Sequence, residues 1–221
     1  DYLHSYFFYE GTLFTLFASY LLDIPRGVSC YTDHMLKDYD LKVVPLHLEQ
    51  CSLVIATSQR IKQELMGIAP QIDPNRIIVK PNAVNVDRYP VVSRRDPEQG
   101  QPYRLICVSR VEPKKGLVYL VEAVRFLRER NFNVELHLLG GVDDNAASKE
   151  YARELDKCIQ DMNLGKIVHI EGRKPESDVK RFLALSHLFV APFVETESGD
   201  KDGIPTSLLE AMATGIPSIA T

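Results

Sequence analysis

Arg104-Leu105-Ile106-Cys107-Val108-Ser109-Arg110-Val111-Glu112-Pro113-Lys114-Lys115-Gly116 decides the fold of this chain. Its first part is a short, continuous apolar run, the pattern of a strand buried on both faces. Its second part is a polar loop rich in cations, closed by a glycine. Leu117, Leu120, Val121, Val124 and Leu127 then repeat at helical spacing. The unit is therefore strand, loop, helix, and it recurs. Val134 to Leu139 reads as a strand ended by Gly140-Gly141, and a helix carrying Tyr151, Leu155, Cys158, Ile159 and Met162 follows. Strand 167–170, helix 177–186, strand 188–191, a polar loop, helix 206–214 and strand 217–220 complete the series. Near-continuous apolar strands separated by helices imply an α/β domain: a parallel sheet covered on both faces, doubly wound with right-handed crossovers.

Upstream of this block the pattern is less regular but of the same kind. An extended segment near Tyr2-Leu3-His4 precedes an apolar helix over 10–22 and a strand at Gly27 to Tyr31. A helical turn at 45–50, a β-branched strand at Ser52 to Thr57, a helix from Gln59 capped by Ser58 and a strand over 76–80 follow. Ser93 to Pro102 holds no large apolar side chain and reads as a linker. The expected organisation is thus a first domain over 1–92, a linker over 93–102 and a second domain over 103–221.

Composition narrows the function. The chain has 221 residues, 45% hydrophobic and 25% charged, with a net charge of −4, which describes a folded globular protein and not a polyanion binder; no nucleic acid partner is expected. Cys30, Cys51, Cys107 and Cys158 are far apart with no CxxC, so they read as free thiols of a cytoplasmic protein. His137 and His169 fall inside strand-like runs, with no metal-ligand spacing around them. The uncharged stretch Gly11 to Leu22 counts 12 residues, against about 20 for a membrane span. The chain opens without Met and stops in an apolar run, so an excerpt from a longer polypeptide is expected.

Ligands of such sheets bind in the loops that leave the strand ends. Ser109 to Gly116 sets Arg110, Lys114 and Lys115 at a helix N-terminus, whose free N–H groups and dipole already favour an anion. A phosphate suits it; Arg110 offers a bidentate fork and Lys115 a point charge. Gly140 and Gly141 follow the next strand, where a missing Cβ admits a ligand to the main chain. Asp202-Gly203-Ile204-Pro205 runs directly into the helix that begins at Thr206. Glu210, four residues on, shares a face with Thr206 and suits two neighbouring ribose hydroxyls. Asp202 is suited to a second ring. Neither GxGxxG nor GxxxxGK[ST] occurs, which disfavours dinucleotide dehydrogenases and P-loop NTPases. Asp200-Lys201-Asp202 forms a DxD, but the cations of the first loop already neutralise a diphosphate, so no metal or other cofactor is expected.

Together these segments resemble the GT-B glycosyltransferases, and within them the large retaining family 4. Ser109 to Gly116 is similar to that family's GRLxxxKG, Asp202 to Ala213 to its EGxPxxxxEAMA, and Ile77 to Asn85 to its IxxxPNGVD. The resemblance implies two Rossmann-like doubly wound domains, both incomplete here, and donor binding by Arg110, Lys115, Gly140, Gly141, Gly203, Ile204, Pro205 and Glu210. It also implies that Asp202 faces the transferred sugar. His34 is the candidate for a further catalytic residue contacting that sugar, with Tyr31 and Asp33 as alternatives. Asp202 departs from the usual Glu, as in a subgroup found among exopolysaccharide and colanic-acid-type transferases, and Ser109, Ala83 and Asn85 also depart from the pattern. The implied activity is retaining transfer of a hexose from a nucleotide sugar, such as a UDP- or GDP-hexose, to a carbohydrate or lipid-linked acceptor. The implied setting is the cytoplasm, with peripheral contact at the inner face of the plasma membrane made through segments not in this chain. A GT-B nucleotide-sugar epimerase and a non-catalytic nucleotide-binding fragment are the rival readings.

Overall fold

The computed structural model describes residues 1–6, 10–30, 44–197 and 202–221. His34, Tyr31, Asp33 and Asp200 lie outside the described residues. The chain forms two units, Asp1–Asn82 and Ala83–Thr221.

The first unit contains β1 (Leu3–Tyr6), α1 (Glu10–Leu22), β2 (Arg26–Cys30), α2 (Val44–Glu49), β3 (Leu53–Ala56), α3 (Gln59–Ile68) and β4 (Ile77–Val79). The strands lie in the order β1-β2-β3-β4 and every neighbouring pair is parallel. All five residues of β2 are buried, as an inner strand of a parallel sheet requires. Ser58 caps α3, its hydroxyl accepting the backbone N–H of Ile61. Val28, Leu48, Val54, Ile61, Leu65 and Ile77 form the centre of one core. Arg26 is buried with them, and its guanidinium donates to the carbonyl of His47 at 2.7 Å.

The second unit contains β5 (Tyr103–Val108), α4 (Leu117–Glu129), β6 (Val134–Leu139), α5 (Ala146–Asp161), β7 (Val168–Gly172), α6 (Glu176–Leu185), β8 (Leu188–Ala191), α7 (Thr206–Ala213) and β9 (Ser218–Ala220). The order is β7-β6-β5-β8-β9, all parallel. Alternate residues of β5 feed two cores. Leu105 and Cys107 pack with Val121 and Val124 of α4 and Leu155 of α5, whereas Ile106 packs with Leu183 of α6 and Ala211 of α7. The sheet is therefore covered on both faces, and its strand order reverses between β5 and β8. A doubly wound sheet opens its ligand crevice at that reversal, outside the carboxyl ends of the two strands.

The boundary between units falls after Asn82, not in the segment 93–102 expected to be a linker. Low apolar content does not leave that segment loose, because Arg94 ties it down. Its Nε donates to the carbonyl of Ser186, Nη2 to that of Leu183, and Nη1 to that of Thr214. These are carbonyls at the C-terminal ends of α6 and α7, which have no next helical turn to bond. The backbone N–H of Val92 adds a bond to the Thr214 carbonyl at 3.2 Å.

Candidate functional site

The loop after β5 reaches α4 through a short 3-10 turn, Pro113–Lys115, and Gly116. Gly116 has φ +60°, and a Cβ there would lie 1.9 Å from the carbonyl oxygen of Pro192 in the loop after β8. Only glycine satisfies both conditions. The approach is fixed by a bond from the Val194 N–H to the Lys114 carbonyl at 2.9 Å. The two loops that flank the strand-order reversal are thereby joined, with the N-terminus of α4 at the junction.

Lys114 and Lys115 are buried, each 8% exposed. Burial at this level requires partners for the charge, and Asp202 supplies them. The Lys115 ammonium pairs with Asp202 Oδ2, and Lys114 Nζ lies 3.7 Å from Oδ1. Lys115 is also 3.9 Å from Glu112 Oε1 and 4.3 Å above the centre of the Phe193 ring. Arg110 is half-exposed at the rim. Its guanidinium donates to Asp143 at 2.8 Å and lies 2.9 Å from Glu112. Partial burial opposes its charge, but the bond to Asp143 and the charges of Glu112, Asp143 and Asp202 hold it above its ordinary pKa. Arg110, Lys115 and Asp202 are thus brought into one network, linked through Glu112.

Gly140 is also where the loop after β5 packs closely on the loop after β6. Its φ is +151°, and a Cβ there would lie 1.7 Å from the carbonyl oxygen of Ser109. What approaches its main chain is the loop after β5. Bonds from Ser109 N–H to the Leu139 carbonyl and from Val111 N–H to the Gly141 carbonyl, both 2.9 Å, complete that contact. A Cβ on Gly141 would meet the Arg173 side chain at 3.4 Å.

Gly203, Ile204 and Pro205 lead into α7, with Pro205 at its N-cap. They line a cavity of about 180 Å³ together with Phe193, Asp202 and Leu208. Glu210 lies one turn further along α7 and accepts a hydrogen bond from the Tyr89 hydroxyl at 2.9 Å. Burial, then the bond to Glu210 and the charge it carries, push the Tyr89 phenol up to about 12. Sequence reasoning missed Tyr89. Its partner is 121 positions away, and no local pattern marks the pairing.

A second polar group lies in mid-sheet. One ligand atom each of Glu135, His137 and His169 fall within 4.8 Å of one another, the spacing of a metal site. Each imidazole nitrogen of His137 already faces a carboxylate, Glu171 at 2.9 Å and Glu135 at 3.3 Å. Arg104 pairs with Glu135, Lys174 lies 3.4 Å from Glu171, and His169 stacks on His137 at 4.8 Å between ring centres. Arg104, Glu135, His137, Glu171 and Lys174 thus form one hydrogen-bonded and ion-paired network around β6 and β7.

The chain is 30% identical over 199 residues to the amylovoran biosynthesis glycosyltransferase AmsK of Erwinia amylovora, an alignment spanning 89% of this chain and 45% of that protein. It is 36% identical over 120 residues to the putative colanic acid biosynthesis glycosyltransferase WcaL of Escherichia coli K12, spanning 54% of this chain and 28% of that one. The chain thus spans less than half the length of these relatives. Among solved structures, Anabaena Alr3699/HepE in complex with UDP and glucose superposes with a TM-score of 0.77 at 18% identity, over 98% of this chain and 58% of that one. A glycosyltransferase from Rickettsia africae superposes at 0.75 and 17% identity, over 100% and 57%. The likeness to these structures shows the fold, which is GT-B. The model of the group 1 glycosyl transferases matches residues 92–221, more than half of the sequence, and the chain belongs to that family.

Proposed function

We propose that the second unit holds the donor site of a retaining glycosyltransferase, which moves a hexose from a nucleotide-diphosphate sugar to a saccharide or lipid-linked acceptor. The observation that carries this reading is the gathering of Arg110, Lys114 and Lys115 at the N-terminus of α4, beside the strand-order reversal. Three cations and a helix dipole suit a diphosphate, whose negative charge grows as the bond to the sugar breaks. Groups already aimed at that position stabilise the departing charge without reorganising. Lys115 and Arg110 would bind the diphosphate, Glu210 the ribose and Asp202 the transferred sugar, with the backbone of Gly203 to Pro205 meeting the donor. Three cations provide the charge that a divalent metal provides elsewhere, so a metal-independent reaction is proposed.

The Anabaena neighbour that binds UDP and glucose supports a UDP-sugar as the first donor to try. AmsK and WcaL, named for amylovoran and colanic acid biosynthesis, support a place in surface polysaccharide assembly. No helix of the described residues is long and apolar enough to cross a membrane. Action in the cytoplasm, with peripheral contact at the inner face of the plasma membrane, belongs to the same proposal.

The test is transfer itself, followed by proton NMR of the product anomer, with UDP- and GDP-hexoses, saccharide and lipid-linked acceptors and EDTA. A product keeping the donor's anomeric configuration is expected. An inverted linkage, or an epimerised sugar without transfer, overturns the reading.

A further inference from the structure

Glu210 sits on the second turn of an eight-residue helix, α7, where an unassisted glutamate samples several rotamers. A carboxylate that grips two adjacent hydroxyls needs one of them. Tyr89 supplies the restraint. Its hydroxyl donates to Glu210 Oε1 at 2.9 Å, and the residue as a whole is 6% exposed, so the donor is itself held by packing. Two further contacts hold Tyr89. Its N–H bonds the Val86 carbonyl at 3.0 Å, and the Lys180 ammonium lies 4.7 Å from its ring centre. Lys180 is held by Glu176 at 2.8 Å, which also receives Arg88, the residue before Tyr89, at 2.8 and 2.9 Å. Five residues beyond Tyr89, Arg94 bonds the carbonyl and hydroxyl of Thr214, the C-cap of the same helix. The segment from Tyr89 to Arg94 is therefore pinned to α7 at both ends of the helix's last turn. It orients one glutamate oxygen and leaves the carboxylate's remaining lone pairs to an incoming ligand.

We propose that Tyr89 is a positioning residue for the donor site, holding Glu210 in the orientation that grips a ribose diol, so that selection of ribose over deoxyribose depends on one phenolic hydroxyl. This rests on the assignment of Glu210 to the ribose. It adds that the selectivity is set from a segment outside the sheet and its loops.

The experiment measures Kd for UDP, 2′-deoxy-UDP, GDP and 2′-deoxy-GDP by calorimetry, with the unaltered chain, Tyr89→Phe and Glu210→Gln, and records Tm for each. The ratio of deoxy to ribo Kd within one variant is independent of how much of the variant is folded. Tyr89→Phe keeps the ring and removes only the hydroxyl, so its Tm stays near that of the unaltered chain. The expected result is a ratio that falls about three- to tenfold in Tyr89→Phe, by weaker binding of the ribonucleotide with the deoxynucleotide unchanged. A fall in Glu210→Gln at least as large supports the assignment beneath it. An unchanged ratio in Tyr89→Phe with a reduced one in Glu210→Gln overturns the role of Tyr89 and leaves the ribose assignment standing. An unchanged ratio in Glu210→Gln, or no discrimination by the unaltered chain, overturns both.

Discussion

The ammonium of Lys115 meets the carboxylate of Asp202 across 87 positions of sequence, joining the loop after β5 to the loop after β8. One side chain is proposed for the diphosphate and the other for the sugar. On the proposed assignments, Asp202 competes with a diphosphate for Lys115 and, at 3.7 Å, for Lys114. Asp202→Asn keeps the shape and removes the competing charge. UDP should then bind about three- to tenfold more tightly, while sugar transfer falls. Calorimetry and turnover on the same sample check both halves, and weaker UDP binding in Asp202→Asn would contradict the competition.

Arg110 is tethered at the rim by Asp143 and Glu112. A phosphate bound there would exchange these for a charge-assisted bond of its own. Arg110→Ala should weaken UDP binding roughly tenfold to hundredfold and leave uridine nearly unaffected. Equal losses for the nucleotide and the nucleoside, measured by calorimetry, would rule out a phosphate role.

Arg94 closes the C-terminal ends of α6 and α7 with all three guanidinium nitrogens. Arg94→Ala takes the guanidinium partner from the Ser186 carbonyl and one of two donors from each of the Leu183 and Thr214 carbonyls, and should lower stability by about 1 to 3 kcal/mol in guanidinium denaturation. Arg94→Lys should recover only part of this, because one ammonium cannot reach three sites. A loss below about 0.5 kcal/mol would mean that the segment 83–102 is held by other contacts.

His47 is fully buried in the first unit, and burial, with Arg26 beside it, pulls its pKa down to about 4. The unfolded chain takes up this proton near pH 6.5, so between those values the unfolded state binds more protons than the folded one. Stability from this group is whole above about pH 6.5 and is lost as pH falls toward 4, by on the order of 3 kcal/mol. Burial lowers His4 and His187 in the same sense. Denaturation midpoints from pH 8 to 4.5 should decline less in His47→Gln than in the unaltered chain. Parallel curves would contradict a buried neutral imidazole.

The elements were legible in the sequence because their signals are local. Leu105 to Val108 is apolar at every position and is a central strand with packing on both sides, and Ser58 announces the helix it caps. The cation loop was legible for the same reason, since Arg110, Lys114 and Lys115 lie within six positions before a helix. What escaped was set by contacts distant in sequence. Arg94 meets carbonyls about ninety positions on, so a stretch without apolar side chains reads as a linker in sequence alone. Tyr89 meets Glu210 across 121 positions. The close approach of the Ser109 carbonyl to Gly140 has no local signal either. His137 and His169 become neighbours only through the register of β6 and β7.

The central claim is a metal-independent nucleoside-diphosphate site in the second unit. A thermal-shift panel of the chain against UDP, GDP and ADP and their hexose conjugates, each with and without EDTA, tests it most directly. A ligand at about 100 times its Kd adds roughly 2.7 kcal/mol, enough to raise Tm by about 5 to 10 °C in a chain of this size. The account predicts such a shift for one base, unchanged by EDTA and lost in Arg110→Ala. A folded chain that responds to none of these ligands, or responds only when a divalent metal is present, would contradict it.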